Sequence, residues 1–316
     1  MFFLCMQIDA QDFEFTQFYA NKLFLSPSFA GATAQNRFIA NYRNQWPGVN
    51  GFVTYAASYD HFFPNFNSGI GTMLMYDVAG DGNLGTMNLG LYYSYDFSLT
   101  ELIHIRPGVS LSYIQRSLDY SKLTFSDQFT SSNTSPSPIE TRNGKDRVGA
   151  PDAAVSSIVY AQNWWVGTTF DHLMRPNVSF VGNEDRIPIK YAIFGGATIY
   201  RKGRLLRPVD QTVSLAFLMR GMQKSLQTDI GLYWAQIPLT LGLWYRGIPV
   251  FNSERGDAFA ILVGLKTKSH LGIGYSYDFT ISNLVNHTSG AHEVSLSYEF
   301  SKLHRKKMHS VPCPEF

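Results

Sequence analysis

From residue 35 to residue 300 the chain repeats short segments in which apolar residues alternate with small or polar ones. A period of two marks a β-strand with two unlike faces, because successive side chains point to opposite sides of the pleat. In one segment Leu271, Ile273, Tyr275, Tyr277 and Phe279 share a side, and Gly272, Gly274, Ser276 and Asp278 share the other. Leu89, Leu91, Tyr93 and Tyr95 alternate with Gly90, Tyr92 and Ser94. Leu239, Leu241, Leu243 and Tyr245 alternate with Thr240, Gly242 and Trp244, and Val294, Leu296, Tyr298 and Phe300 with Ser295, Ser297 and Glu299. One face is aliphatic with aromatics toward an end, as in a lipid-facing band bordered by aromatic girdles. No apolar run of about 18 residues offers a membrane-spanning helix.

Fourteen such segments are predicted, near 35–43, 52–59, 69–77, 84–95, 103–115, 154–160, 164–170, 191–200, 211–220, 226–233, 239–245, 258–265, 271–279 and 292–300. An even number lets an antiparallel ring begin and end on one side of a membrane. If the first strand starts from the periplasm, connections 116–153, 171–190, 246–257 and 280–291 lie outside. Connections 161–163, 234–238 and 266–270 become short periplasmic turns, with 201–210 longer. Long loops outside and short turns inside is the asymmetry of outer-membrane barrels. A soluble β-sandwich also alternates, but nothing sorts its loops by parity. In hydrocarbon an open sheet would leave two edges of unpaired N–H and C=O groups, so the strands must close. Charged residues at 16% fall below the roughly 25% of soluble proteins, aromatics reach 15%, and mean hydropathy is only −0.11. The expected fold is all-β: a transmembrane antiparallel β-barrel of about 14 strands with an N-terminal periplasmic segment and a short C-terminal tail.

The expected divisions are a truncated signal peptide at 1–10, an N-terminal periplasmic or plug-like segment at 11–34, the barrel at 35–300, and a basic tail at 301–316. Cys5 lies in the leader, so the mature chain keeps one thiol, Cys313. A net charge of +2 gives no reason to expect a nucleic-acid partner. Gly-x-Ser-x-Gly, His-Glu-x-x-His, P-loop and Cys-x-x-Cys motifs are all missing, so no enzyme, cofactor or metal site is expected. Asp171-His172 reads as the start of a solvated loop. The stretch from Asp77 to Asn83 lacks the closing Glu of a calcium loop and reads as a hairpin turn.

Two stretches carry more than the strand pattern. One runs from Asp12 to Arg43 and on to Trp46, too rich in Phe and Tyr to stay loose in water. It either folds into the periplasmic mouth for stability or serves as a plug or docking surface. The other is the tail, where Lys302, Arg305, Lys306 and Lys307 precede Val311-Pro312-Cys313-Pro314-Glu315-Phe316. It is either a solvated terminus near anionic headgroups or a segment captured by a periplasmic partner. The candidate docking residues are Gln17, Tyr19, Asn21, Pro27, Gly31, Arg43, Gln45, Trp46, Cys313, Pro314 and Phe316.

These stretches also carry a family resemblance. Gln17-Phe18-Tyr19-Ala20-Asn21, Ser26-Pro27-Ser28-Phe29-Ala30-Gly31, Asn41-Tyr42-Arg43-Asn44-Gln45-Trp46, Gly69-Ile70-Gly71 and Cys313-Pro314-Glu315-Phe316 together resemble the PorP/SprF family. Lys22 and Ser26 depart from it, standing where Pro and Asn are expected. The resemblance implies a non-catalytic outer-membrane component of the type IX secretion system of Bacteroidetes. It further implies help in exporting or displaying surface cargo, such as gliding adhesins and proteins with type B sorting domains. The implied partners are that cargo, periplasmic and outer-membrane subunits of the machine, and outer-membrane lipid. Read from the residues alone, a diffusion channel or small-molecule transporter remains the alternative.

Overall fold

The structure, a computed structural model, describes residues 14–17, 20–33, 36–49, 51–80, 83–123, 144–182, 184–203, 211–248, 258–267, 269–281 and 289–300. After a four-residue helix α1 (Lys22–Leu25) and a 3-10 turn at Pro27–Phe29, most of the described residues are in strands. The strands are β1 (Arg37–Gln45), β2 (Phe52–Phe63), β3 (Ser68–Ala79), β4 (Leu84–Tyr95), β5 (Phe97–Ser98), β6 (His104–Ser117), β7 (Arg147–Tyr160) and β8 (Trp164–Asp171). They continue as β9 (Lys190–Lys202), β10 (Gln211–Met222), β11 (Ser225–Gln236), β12 (Leu239–Arg246), β13 (Ala258–Lys266), β14 (Leu271–Thr280) and β15 (Ala291–Glu299).

Each strand pairs antiparallel with its sequence neighbour, and β1 pairs with β15 from Arg37↔Glu299 to Gln45↔Ala291, which closes the ring. The two-residue β5 extends β4 along β6, so the wall has fourteen staves. The interruption at Asp96 has a chemical cause. Pairing to β6 runs to Ser94↔Gly108 and resumes at Phe97↔Ile105, so the gap faces Pro107, which has no N–H to give.

All fourteen predicted segments are strands. The largest difference is at β7, which begins at Arg147, ahead of the predicted 154. Gly149, Ala150, Pro151 and Asp152 carry no apolar alternation, yet they pair with β6 from Ser112 to Gln115. The four longest connections (118–146, 172–189, 247–257 and 281–290) all leave from one end of the barrel. The opposite end has 64–67, 99–103, 161–163, 203–210, 237–238 and 267–270. The first is the long-loop end and the other the short-turn end.

The outer wall is apolar. Leu74, Leu89, Leu91, Val109, Leu111, Leu241, Leu243, Val263 and Leu296 are exposed around it. Aromatic pairs border this band, Tyr42 with Tyr55 (5.2 Å) and Trp46 with Phe52 (5.8 Å) toward the long-loop end. Tyr95 with Phe97 (4.4 Å) and Tyr298 with Phe300 (4.9 Å) lie toward the other. No described helix is long and apolar enough to cross a membrane; the strands do that work. Leu91, mid-strand and 67% exposed, meets acyl chains. Leu91→Arg is therefore expected to destabilise folding into lipid vesicles by about 2–4 kcal/mol, read as a shift of the urea midpoint. An unchanged midpoint would put that face in water.

Candidate functional site

The lumen holds the chain's own N-terminal segment. Glu14 lies by the long-loop end, where its Oε2 accepts from Arg220 Nη2 and Arg246 Nη2, each at 2.7 Å. Arg246 is the last residue of β12 and Arg220 stands near the end of β10. Thr16 follows, its N–H donating to Glu293 Oε2 (2.7 Å) and its hydroxyl to Asp278 Oδ2 (2.5 Å). Deeper still, Gln17 donates through Nε2 to Ser276 Oγ (3.1 Å) and accepts at Oε1 from Ser295 (2.7 Å).

The segment then turns through α1 and descends. The Leu25 carbonyl accepts from Thr169 (3.2 Å) and Ser28 N donates to Ser156 Oγ (2.9 Å). The two serine oxygens of Ser28 and Ser156 are 2.6 Å apart. At the short-turn end the Ala30 carbonyl accepts from Ser94 (2.7 Å) and Gly31 N donates to Asp60 Oδ2 (3.0 Å). Asp60 also pairs with Arg37 (3.2 Å), the first residue of β1, so the plug runs straight into the wall.

Two kinds of contact seat it. Leu25, Phe29 and Ala32 join an apolar cluster with Ile158, Trp165, Phe194, Leu218, Tyr233, Trp244 and Leu262. These side chains come from β7–β13, so part of the inner wall is apolar where alternation alone predicted small or polar residues. On the other side glycines let the backbones touch. A Cβ at Gly69 would collide with the Ala30 carbonyl, and one at Gly108 with the Ser28 nitrogen. Gly31, at φ +64°, takes a left-handed turn against Gly69 that a side chain would strain.

Around Glu14 and Thr16 the charges form one buried network. Arg43 bridges Asp278 (2.9 Å) and Glu293 (3.1 Å), Arg246 reaches Asp278 (3.1 Å), and Arg220 reaches Asp229 (3.1 Å). Charges in so little water survive because every guanidinium faces a carboxylate. A narrow cleft beside them is lined by Phe15, Thr16, Arg220, Asp229, Trp244 and Arg246. No group of metal-ligating side chains occurs among the described residues.

Of the predicted docking residues, Gln17, Asn21, Pro27, Gly31 and Arg43 come together inside the lumen and are buried. Gln17, Asn21, Pro27 and Gly31 belong to the plug, and Arg43 lies on β1 beside it. The described part of this segment, residues 14–17 and 20–33, contacts the inner wall from Arg246 of β12 to Asp60 of β2. Gln45 and Trp46 lie half-buried at the opposite, long-loop rim, where Gln45 Oε1 accepts from Arg43 Nη2 (3.1 Å). Tyr19, Cys313, Pro314 and Phe316 lie outside the described residues. His172 does not begin a solvated loop: it is buried, with Nδ1 2.6 Å from Asp152 Oδ2. The residues that sequence reasoning missed are the plug's partners, Asp60, Asp278, Glu293, Arg220 and Arg246. Their one signal was a charge on the inward side of an alternating strand.

A family described as type IX secretion system membrane protein PorP/SprF matches residues 7–298. The chain belongs to the PorP/SprF family. It is an outer-membrane β-barrel, and its loops show the long-at-one-end, short-at-the-other asymmetry general to such barrels. A comparison with curated proteins finds no match to this PorP/SprF chain. Among solved structures it is similar to a Pseudomonas aeruginosa FadL homologue, at 11% identity and TM-score 0.48, over 88% of this chain and 93% of that one. The Acinetobacter baumannii outer membrane protein Omp33 gives 9% identity and TM-score 0.45 over 84% and 99% of the two chains. A KdgM porin gives 10% identity and TM-score 0.38 over 84% and 99%. At these values the likenesses carry no argument about function.

Proposed function

We propose that this PorP/SprF protein is a closed, non-enzymatic barrel that helps type IX secretion export or display particular cargo. The cargo class is surface protein with a type B sorting domain, gliding adhesins included. Recognition is its mechanism: the long loops engage cargo outside, and the short-turn end meets periplasmic and outer-membrane subunits of the machine, with the basic tail as a further contact. The observation that supports this reading is the lumen, where residues 14–17 and 20–33 of the chain's own plug sit. A barrel filled in this way acts through its two faces, which weighs against the diffusion channel.

Replacing 172–189 or 247–257 by a short Gly-Ser connection is expected to leave the barrel folded and heat-modifiable while surface cargo falls several-fold on intact cells. Deleting residues 313–316 should likewise spare assembly and impair display. Full display in all three variants would overturn the recognition role.

A further inference from the structure

We infer that the free backbone edge of β9 is a docking strand, to which an extended acidic segment of a partner protein adds as a further strand. The edge is an overhang at the short-turn end. β8 pairs with β9 only from Asp171↔Lys190 to Trp164↔Ala197, and the turn residue Asn163 accepts one more bond from Thr198 N–H (2.7 Å). β9 runs on to Lys202. Its other side stays held by β10 as far as Gln211↔Lys202, and β10 by β11 as far as Thr212↔Ala235. From Ile199 to Lys202, a stretch of about 13 Å, the β8 side of this hairpin has no strand beside it among the described residues.

A row of unpaired N–H and C=O groups is a template for another chain. The upper half of β7, ahead of Val155↔Phe170, has a similar edge, but that one is blunted. Pro151 has no N–H there, Ala153 O accepts from Leu173 N–H (3.0 Å), and Lys145 N–H donates to Phe180 O (2.9 Å). β9 has no proline between Ile199 and Lys202. Charge selects the occupant. Ile199 is 65% exposed and Tyr200 48%; Arg201 and Lys202 are exposed too, and neither has an ion-pair partner among the described residues. Two adjacent cations repel a second copy of this edge, and they repel the chain's own Lys302, Arg305, Lys306 and Lys307, whereas they attract Asp and Glu. Anionic lipid headgroups would meet the cations but cannot pair along the backbone. A bare edge is costly in hydrocarbon, so this one belongs at the headgroups or beyond, within reach of a soluble protein. The inference rests on the proposed function only in taking the partner from the periplasm.

The test titrates the full chain, in nanodiscs of zwitterionic lipid, with three fluorescent peptides of equal length. One alternates Val and Glu, the second is the same with a central Pro, and the third alternates Val and Lys. The first should bind, and the other two should bind about tenfold more weakly, the effect of losing one charge-assisted or ladder hydrogen bond. Arg201→Glu with Lys202→Glu, in a barrel that stays heat-modifiable, should reverse the preference from the Glu peptide to the Lys peptide. Equal binding with and without the Pro overturns strand addition and leaves charge alone. A Glu peptide that binds the charge-reversed barrel as well as the parent overturns the site, and no binding of the Glu peptide overturns both. Loss of its binding in nanodiscs rich in phosphatidylglycerol gives the edge to lipid headgroups and overturns the inference as well. Nanodiscs expose both ends of the barrel and involve no cargo, so failure here leaves the loop-replacement test of the proposed function standing.

Discussion

Deletion of residues 14–33 is expected to turn a silent barrel into one that carries a steady ohmic current in a planar bilayer. Eight-stranded barrels are filled by side chains, and those of sixteen or more strands leave an aqueous channel. A fourteen-stave ring lies between, and here the remaining width is taken by a folded segment. That segment brings Phe15, Leu23, Leu25 and Phe29 into the interior. Without it the polar half of the wall, with Asp60, Arg106, Asp278 and Glu293, would be open to water. The full chain, by the same reasoning, should pass no steady current. Large currents from the intact protein would mean that the plug does not close the lumen and would revive the channel.

The second large effect is expected at Arg43. Its guanidinium is buried and joins two carboxylates from different strands, Asp278 of β14 and Glu293 of β15, while Nη1 also donates to Thr16 (2.6 Å). Arg43→Ala leaves Glu293 with only the N–H groups of Thr16 and Gln17 among its described partners. Breaking a buried pair by removing one partner costs about 3–5 kcal/mol. Denaturant titration of the vesicle-folded protein should show a loss of that size. Arg43→Lys should fall short of full rescue, since an ammonium lacks the planar fork that reaches both acids at once. A loss under about 1 kcal/mol would place the network in solvent, where ion pairs contribute little.

The wall was legible in the sequence and the interior was not. Strands such as β12 and β14 announce themselves because one face must be aliphatic for lipid, which writes a period of two into the chain. The loop asymmetry then gives orientation. The upper half of β7 escaped because Gly149, Ala150 and Pro151 have no apolar partner at every second position, although the backbone pairs all the same. The plug escaped for a different reason. Residues 14–17 and 20–33 follow an irregular path and meet the wall at individual side chains, so no period encodes where they lie. Arg43 and Glu293 are 250 positions apart in the chain and become neighbours only when β1 meets β15. Gly69 and Gly108 could be read as small inward-facing residues, but not as the places where a second backbone passes.

The plug lies inside the ring, and a cysteine pair at Ser28 and Ser156 tests this directly. Their side-chain oxygens are 2.6 Å apart, one on the plug and the other on β7. In a Cys5→Ser, Cys313→Ser background, Ser28→Cys with Ser156→Cys should form a disulfide in nearly every barrel recovered from outer membranes. It would be seen as a reductant-sensitive shift on a denaturing gel. Two thiols that stay separate under oxidant, and both alkylate in a barrel that is still heat-modifiable, would show that the segment is not where the structure puts it.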